Sequence, residues 1–555
     1  MDYKEKYQLW LDNVKDKRVL DELKMMKGKQ IEEAFSGDLS FGTAGLRGIM
    51  SAGTNRLNVY TVYKASLGVA QYMLAHGMKK CAITYDSRNN YKLFAEVCAA
   101  TLAERGMNVY ITRECMPTPY LSFMVRNYHT DMGINITASH NAPQYNGYKV
   151  YDREGCQITD ATAREIIKIM KERDPFKYAI PKFEDYLGTL IHYSDDQMEE
   201  KYKYAVQIQG LGNAQGIKIV YSPLNGAGYR IVPEVLSRAG LTDLTIVPEQ
   251  AMPDGNFPTC LYPNPENHDA LALAVQLAKQ IGADAVVAND PDCDRLGVAV
   301  RKGGDASEGD DYEFLSGNDV GILLEDYILE TLATENTLPR KPVIVKTIVS
   351  TLMTDSLAAK YGAEVVDVLT GFKYIGNEIR KLEKRNQLDR FILGFEESCG
   401  YLKGGYVRDK DGVIAALLFC QCLASRKRQG KTVIQRLAEL RAELGNYVQF
   451  TERYTFEGIK GTKQCQKLFA KLRKQPLTHL GDSEIVSSCD YLTQKKFDLP
   501  KSNVLRYNSE NGSQLIIRPS GTEPIVKCYV SISDVDGTTE QKKADILKQL
   551  SEIFG

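Results

Sequence analysis

Residues 283–295 read ADAVVANDPDCDR, a short apolar run that ends at a strongly polar loop. An apolar run of this length, bounded by a turn, is typical of a buried β-strand. Longer amphipathic stretches such as 271–281 lie between further runs of the same kind. Those runs include CAITY at 81–85, MNVYI at 107–111, IKIVY at 217–221 and FIL at 391–393. The alternation predicts repeated βαβ units, and therefore an α/β protein with parallel or mixed sheets.

The chain is long enough for several domains, because 555 residues correspond to three or four units of about 150 residues each. Apolar residues at helical spacing predict helices within the first forty residues. Charged clusters near 193–200, 302–311 and 441–447 then divide the chain. We predict four domains from them, at 1–198, 199–308, 309–445 and 446–555.

The charges are nearly balanced, with 70 Lys and Arg against 71 Asp and Glu and a formal net charge of −1. This balance argues against a nucleic-acid partner held by bulk charge. No stretch approaches the roughly 18 apolar residues of a membrane span. The first ten residues, MDYKEKYQLW, lack the apolar core of a signal peptide. We therefore expect a cytoplasmic protein that binds neither nucleic acid nor membrane.

Polar loops that follow apolar runs are the places to search for a site, because ligands of open α/β sheets bind beyond the carboxyl ends of strands. The first such loop holds Ser139 in the sequence TASHN, and Lys149 follows ten residues later. One interpretation is a nucleophilic or phosphate-carrying serine with a basic partner. The alternative is a Ser/Asn turn that binds its own backbone. A hydrolase triad is disfavoured, since the GxSxG elbow is missing.

The second loop places three carboxylates close together, at Asp290, Asp292 and Asp294. Such hard oxygen ligands suit Mg²⁺ completed by a phosphate oxygen or water. An EF-hand is excluded because its glycine and glutamate positions hold Arg295 and Arg301. A solvated acidic turn is the alternative, but three like charges repel one another without a cation, which favours the metal site.

The third loop contains Glu396, Glu397 and Ser398 in the sequence GFEESCGY. Its carboxylates and hydroxyl can hydrogen-bond the hydroxyls of a sugar. The same residues also suit the N-terminal cap of a helix, so both interpretations stay open.

The fourth loop, RPSGTEP at 518–524, lies between two β-like runs. Consecutive N–H groups, two hydroxyls and the guanidinium of Arg518 can hold the oxygens of a phosphate. A plain hairpin loop is the alternative, because proline and glycine also favour turns.

Taken together and in this order, the motifs resemble those of the α-D-phosphohexomutases, the phosphoglucomutase/phosphomannomutase superfamily. They are FGTAGLRG at 41–48, TASHN at 137–141 with NGYK at 146–149, DPDCDR at 290–295, GFEESCGY at 394–401 and RPSGTEP at 518–524. The resemblance covers about residues 40 to 530. TGFK at 370–373 and the long GFEESCGY form are similar to the phosphoglucomutase/phosphopentomutase branch.

The resemblance implies four domains around a central cleft. The first three would be similar mixed α/β units and the fourth a smaller α+β unit. Ser139 would be the phosphoserine, and Asp290, Asp292 and Asp294 would bind Mg²⁺ together with an oxygen of the phosphate on Ser139.

The resemblance also implies roles for residues around the substrate. Arg47, Lys149 and Arg295 would surround the transferring phosphoryl group, with Lys149 as a candidate general acid or base. The expected substrate-binding residues are Glu396 and Ser398 for sugar hydroxyls, His140, Lys346 and Lys373 along the cleft, and Arg518, Ser520, Gly521 and Thr522 for the non-reacting phosphate.

The implied activity is the reversible interconversion of glucose 1-phosphate and glucose 6-phosphate, through a phosphoserine enzyme and a glucose 1,6-bisphosphate intermediate. The sequence leaves alternatives open: a pentose or mannose phosphate as the main substrate, a Mg²⁺-dependent sugar phosphatase, and a non-catalytic sugar-phosphate sensor.

Overall fold

The computed structural model describes residues 1–39, 41–42, 45–303, 312–456, 458–494, 499–519, 525–534 and 537–555. These residues form four β-sheets, which follow one another along the chain. None of the described helices combines the length and the apolar character that a membrane crossing needs.

The first sheet has seven strands and mixes parallel and antiparallel pairs. Its strands are β1 (Phe41–Gly42), β2 (Gly45–Ile49), β3 (Lys80–Tyr85), β4 (Asn108–Ile111), β5 (Met132–Ile136), β6 (Tyr145–Asp152) and β7 (Ile191–Tyr193), in the order β1-β2-β6-β5-β3-β4-β7. The accompanying helices are α1 (Tyr3–Asn13), α2 (Lys17–Met25), α3 (Lys29–Phe35), α4 (Val59–Ala75), α5 (Tyr91–Glu104), α6 (Thr118–Asn127) and α7 (Asp160–Lys171). Strand β6 runs antiparallel to both neighbours, which turns the serine loop back into the sheet.

The second and third sheets are smaller variants of the same plan. The second contains β8 (Lys218–Ser222), β9 (Asp243–Ile246), β10 (Ala285–Ala288), β11 (Gly297–Arg301) and β12 (Tyr312–Leu315), with α8 (Asp196–Gln207), α9 (Gly228–Arg238) and α10 (Ala272–Ile281). The third contains β13 (Val343–Thr347), β14 (Glu364–Val368), β15 (Phe391–Glu396) and β16 (Gly400–Leu402), with α11 (Gly317–Thr334), α12 (Met353–Lys360), α13 (Phe372–Lys384), α14 (Gly412–Arg428) and α15 (Val433–Leu444).

The fourth sheet is antiparallel in every described pair. Its elements are β17 (Asn446–Thr455), α16 (Gly458–Lys474), β18 (His479–Leu480), β19 (Ser483–Asp490), β20 (Leu505–Ser509), β21 (Gln514–Pro519), β22 (Ile525–Asp534) and α17 (Thr539–Phe554). The predicted class, three mixed α/β units followed by a smaller α+β unit, is confirmed. The numerical domain limits stay predictions.

The first sheet packs one face in a hydrophobic cluster of its own, around Ile83 and Ile134, and contributes its other face to a core shared with the second and third sheets. Buried residues from each of them, for example Ala82, Ile219 and Ile344, belong to the same cluster. Helix α14 lies within this core and is buried along almost its whole length. That position explains why its sequence is apolar on every face rather than on one stripe.

The fourth sheet has a core of its own, formed by residues such as Leu515, Val530 and Leu550. A small separate cluster joins it to the third sheet, where Val349 and Leu369 pack with Ile516. The chain is therefore a large three-sheet body with a fourth unit attached through a limited apolar contact.

Gly147 provides a test of the strand register around the serine loop. It pairs with Arg47 of β2, and an added methyl group would overlap the carbonyl oxygen of Thr137 and lie 2.8 Å from that of Leu46. Backbone atoms cannot rotate away, so we expect Gly147→Ala to destabilise the protein by about 1–3 kcal/mol. Thermal unfolding measures the effect. Gly37→Ala is the control, because a methyl group there meets open space, and equal melting temperatures for the two variants would contradict this register.

Candidate active site

Three of the four polar loops converge at the ends of their strands. Ser139 lies between β5 and β6, Asp290 follows β10, and Glu396 ends β15. The serine has a φ of 53°, in the left-handed region that few non-glycine residues adopt. Such backbone strain persists only where surrounding contacts fix it, and it is common at functional sites.

The hydroxyl of Ser139 points at the carboxylate loop rather than at its own backbone. Its Oγ donates to Oδ2 of Asp290 at 2.9 Å and lies 3.2 Å from Nδ1 of His140. The Ser139 N–H donates to Oγ1 of Thr137 at 2.8 Å, which fixes the turn. Both Ser139 and Asp290 are buried. The hydroxyl is thus held against a carboxylate from the second domain.

Arg88 holds the serine loop from behind, although the sequence did not predict a role for it. Its guanidinium donates to the carbonyl oxygens of Ser139 and Asn141, and at 3.0 and 2.9 Å to those of Ala142 and Tyr145. The side chain is fully buried. Four carbonyl oxygens on one planar cation fix the loop's backbone, because the donors of arginine have a rigid geometry.

The buried positive charge of Arg88 lies close to a buried carboxylate. Its Nε lies 3.5 Å from Oδ2 of Asp86, which also accepts a 2.5 Å hydrogen bond from Thr137. Burial lowers the pKa of Arg88 to about 10, although Asp86 opposes the shift. Arg88 is therefore a positioning residue, and its presence in YDSR at 85–88 was the only sequence signal for it.

Asp290, Asp292 and Asp294 form a compact buried group. A ligand atom from each lies within 4.8 Å of the others, and all three side chains are 0–1% exposed. Oδ1 of Asp292 and Oδ1 of Asp294 have no hydrogen-bond partner among the described residues. Burial and the charges of its two neighbours raise the pKa of Asp290 well above its usual value. Buried oxygens without partners and mutual repulsion make this group able to bind a metal ion.

Two lysines from different domains approach these carboxylates. Nζ of Lys149, on β6, lies 2.9 Å from Asp292 and 3.8 Å from Asp294. Nζ of Lys410, at the start of the α14 region, lies 2.8 Å from Asp294. Burial works against the charged form of Lys410, but Asp294 and Asp409 outweigh it and raise its pKa. Lys149 was expected here, whereas Lys410 was not.

The arginines predicted around the serine also lie in this region. Arg47, on β2, donates to Oδ1 of Asn141 in the serine loop at 3.0 Å. Nε of Arg295 lies 3.9 Å from Asp290, and its guanidinium also pairs with Glu266. Burial, followed by the charges of Arg295 and Arg47, lowers the pKa of His140 well below its usual value.

The GFEESCGY loop is a tight hairpin between β15 and β16, not the cap of a helix. Glu396 is 5% exposed, and burial raises its pKa even though Lys410 and Arg295 oppose the shift. Ser398 lines a cavity of about 200 Å³ between this hairpin and the sheet of the fourth domain. Carboxylate, hydroxyl and cavity together are suited to the polar groups of a small ligand.

The structure does not bring every predicted residue to the cluster. Nζ of Lys346 is buried against Asp367 at 2.7 Å, and Nζ of Lys373 pairs with Asp160 at 2.8 Å. Arg518 lies near the end of β21, on the same face as Ile516, which packs against the third domain. Ser520, Gly521 and Thr522 lie outside the described residues. The substrate-binding roles of all these residues stay predictions.

The groups that surround Ser139 are of the kind that stabilise a phosphoryl group during transfer, namely carboxylates for a metal ion and fixed cations. Their enclosure between α/β domains is typical of an enzyme that acts on a small molecule. The fold and the site thus define a phosphotransfer enzyme.

Comparison with known proteins gives the family. Models of phosphoglucomutase/phosphomannomutase alpha/beta/alpha domains I, II and III match residues 38–177, 196–304 and 316–443. The chain is 35% identical over 539 residues to a phosphoglucomutase of Staphylococcus epidermidis, covering 94% of this chain and 96% of that protein. It therefore belongs to the α-D-phosphohexomutase superfamily of phosphosugar mutases.

Solved structures share the fold. A phosphoglucomutase/phosphomannomutase family protein from Burkholderia thailandensis superposes with a TM-score of 0.69 at 18% identity, over 92% of this chain and 97% of that one. The N-acetylphosphoglucosamine mutase of Aspergillus fumigatus, in complex with GlcNAc-6P and magnesium, gives a TM-score of 0.52 at 13% identity, over 94% and 96%.

Arg88→Lys tests the positioning of the serine loop. Lysine keeps the charge but cannot bind four carbonyl oxygens in one plane, so we expect mutase turnover to fall by about 10- to 100-fold, as for a small misplacement of a reacting group. Steady-state kinetics and the melting temperature should be measured together. Arg105→Lys, at an exposed helix end, is the control. Parental turnover in Arg88→Lys would show that the loop does not need this clamp.

Proposed function

We propose that the chain is a phosphoglucomutase that interconverts glucose 1-phosphate and glucose 6-phosphate through a phosphoserine at Ser139. The observation that carries the proposal is the 2.9 Å contact between the Ser139 hydroxyl and Asp290 inside a buried carboxylate group. The similar Staphylococcus epidermidis protein bears the name phosphoglucomutase over nearly the whole chain.

The reaction needs two phosphoryl transfers on one sugar. In the first, the 6-hydroxyl oxygen of glucose 1-phosphate forms a bond to phosphorus while the bond from phosphorus to Oγ of Ser139 breaks. The hydroxyl gives up its proton and the serine oxygen takes one up, so the step is balanced. The resulting glucose 1,6-bisphosphate turns over, and its 1-phosphoryl group returns to Ser139 to leave glucose 6-phosphate.

Asp290, Asp292 and Asp294 would hold Mg²⁺ together with an oxygen of the serine phosphate. Their donor set fits this ion, since Mg²⁺ prefers carboxylate and phosphate oxygens. The Aspergillus fumigatus relative, whose complex contains magnesium, supports the assignment. When bound, the ion supplies positive charge against the negative charge of the phosphoryl oxygens.

Arginine and lysine side chains near Ser139 would stabilise the negative charge of the transferring phosphoryl group. Arg47 and Arg295 lie beside the serine loop and the carboxylates, where they can stabilise a phosphoryl group between two oxygens. Lys149 and Lys410 contact Asp292 and Asp294. Lys149 is the proposed general acid or base, a role that contributes roughly 10²–10⁴ in rate.

The opposite end of the substrate would lie toward the third and fourth domains. Glu396 and Ser398 would bind sugar hydroxyls, and Ser398 lines the 200 Å³ cavity together with Glu397. Arg518, with Ser520, Gly521 and Thr522, would hold the phosphate that does not react. One reacting site and one holding site are the minimum that a bisphosphate needs in order to exchange its two ends.

Ser139→Ala tests the phosphoserine. We expect no interconversion, because no other group carries the phosphoryl between the two hydroxyls. A coupled assay that detects glucose 6-phosphate, with intact mass spectrometry of the protein, measures both turnover and phosphorylation. Ser36→Ala, at an exposed position, serves as the control. Near-parental activity of Ser139→Ala would overturn the assignment.

A panel of sugar 1-phosphates tests the substrate. With a trace of the matching bisphosphate, we expect kcat/KM to be highest for glucose 1-phosphate and lower for mannose 1-phosphate and ribose 1-phosphate. Product analysis should show the 6-phosphate isomer. Preference for another sugar would reassign the substrate, and release of inorganic phosphate without isomerisation would indicate a phosphatase.

A further inference from the structure

A second cavity lies between the N-terminal helices and the first sheet. Its volume is about 420 Å³, and its walls come from α1, the start of α4, the strand β2 and the segment after α7. This size lies within the range of small-molecule sites. None of the residues of the Ser139 and aspartate cluster lines it.

Aromatic side chains form much of the wall. The rings of Trp10, Tyr60 and Phe176 contact one another, with centroid separations of 5.3 to 5.7 Å. Leu39 and Leu46 add aliphatic surface. Burying an apolar ligand against these groups is favourable, because it removes apolar surface from water.

Cations without ion pairs surround this apolar wall. Lys64, Lys171 and Arg173 line the cavity, and none of them forms an ion pair with a described residue. The Nε of Arg173 is buried and has no hydrogen-bond partner among the described residues. A buried donor without an acceptor is costly, so an anion placed here would be stabilised.

The acidic residues at the same cavity already have partners. Asp38 accepts from Nζ of Lys6 at 3.0 Å, and the carboxylate of Asp174 accepts the N–H of Phe176 at 2.9 Å. The carboxylate of Asp174 keeps its charge, but Lys64, Lys171 and Arg173 outnumber it, so the lining is net positive. Leu46, in the wall, directly precedes Arg47 on β2, so the cavity adjoins a strand that also serves the catalytic cluster.

We infer that this cavity is a binding site for a small organic anion with an apolar body, such as an alkyl or aryl sulfonate or carboxylate. The apolar body would lie against Trp10, Tyr60 and Phe176, and the anionic head would face Lys64, Lys171 and Arg173. The site is separate from the proposed mutase activity.

Decanesulfonate is a suitable probe, at concentrations well below those at which it forms micelles. Trp10 is the only tryptophan of the chain and lines the cavity, so its emission reports this site. We expect a saturable change in emission, with a matching dissociation constant by calorimetry. Decanol, which lacks the charge, should bind at least about tenfold more weakly, in line with the loss of one charge-assisted hydrogen bond.

A charge-reversal pair completes the test. Lys64→Glu with Lys171→Glu should weaken decanesulfonate binding at least about tenfold. Lys24→Glu with Lys168→Glu makes the same change in net charge at exposed lysines outside the cavity and should leave binding unchanged.

Three results would each overturn the inference. They are the absence of a saturable emission change, equal affinity of the two charge-reversal variants, and competitive displacement of decanesulfonate by glucose 1-phosphate. The comparison of decanesulfonate with decanol on the parent protein needs no variant, so the inference stays testable even if the Lys64 and Lys171 variant fails to fold.

Discussion

The burial of three carboxylates within 4.8 Å of one another is the constraint around which the protein is arranged. Ionised carboxylates are expensive to remove from water unless they are paired, hydrogen-bonded or bound to a metal. Each aspartate here has its own compensation. Asp290 accepts the N–H groups of Asp294 and Arg295 at 3.1 and 3.0 Å, and the other two contact the ammonium groups of lysines.

The compensating groups come from different domains, so the site and the architecture depend on each other. Lys149 and the hydroxyl of Thr118, 2.9 Å from Asp292, belong to the first sheet region, and Lys410 belongs to the third. Backbone hydrogen bonds also join the domains at this site. The N–H of Thr118 donates to the carbonyl of Asp292, and that of Gly412 to the carbonyl of Cys293. Removing one domain would leave buried charges unpaired, so the three units depend on one another at this site.

Much of the fold could be predicted from the sequence, because the buried strands of the first three sheets are short apolar runs bounded by polar or turn residues. The predicted runs at 81–85, 217–221 and 391–393 are strands in the structure. Strand β19 was missed for a physical reason. It is largely exposed and its pairing shifts register between Ile485 and Ser487, so no alternation of apolar and polar residues marks it.

The serine, the aspartates and the hairpin with Glu396 were found because each follows a strand directly. Arg88 and Lys410 were not assigned roles, although both are central. The partners of Arg88 are backbone carbonyls, which leave no trace in the sequence, and Lys410 reaches Asp294 across a domain boundary. Lys346 and Lys373, which were predicted along the cleft, form ion pairs with Asp367 and Asp160, and their substrate-binding role stays a prediction.

The separate core of the fourth sheet has a consequence for motion. A unit with its own buried cluster can open as a cooperative block, with an opening free energy set by that cluster and its contacts rather than by the whole chain. The contacts here include the small apolar group around Val349, Leu369 and Ile516 and the ion pair of Arg506 with Asp367. We therefore expect the amide hydrogens of the fourth unit to exchange independently of those in the first three units. The position of Arg518 depends on the core of the fourth sheet, whereas the carboxylate cluster depends on the core shared by the first three sheets. Substitutions in one of these cores can therefore change one feature without disturbing the other.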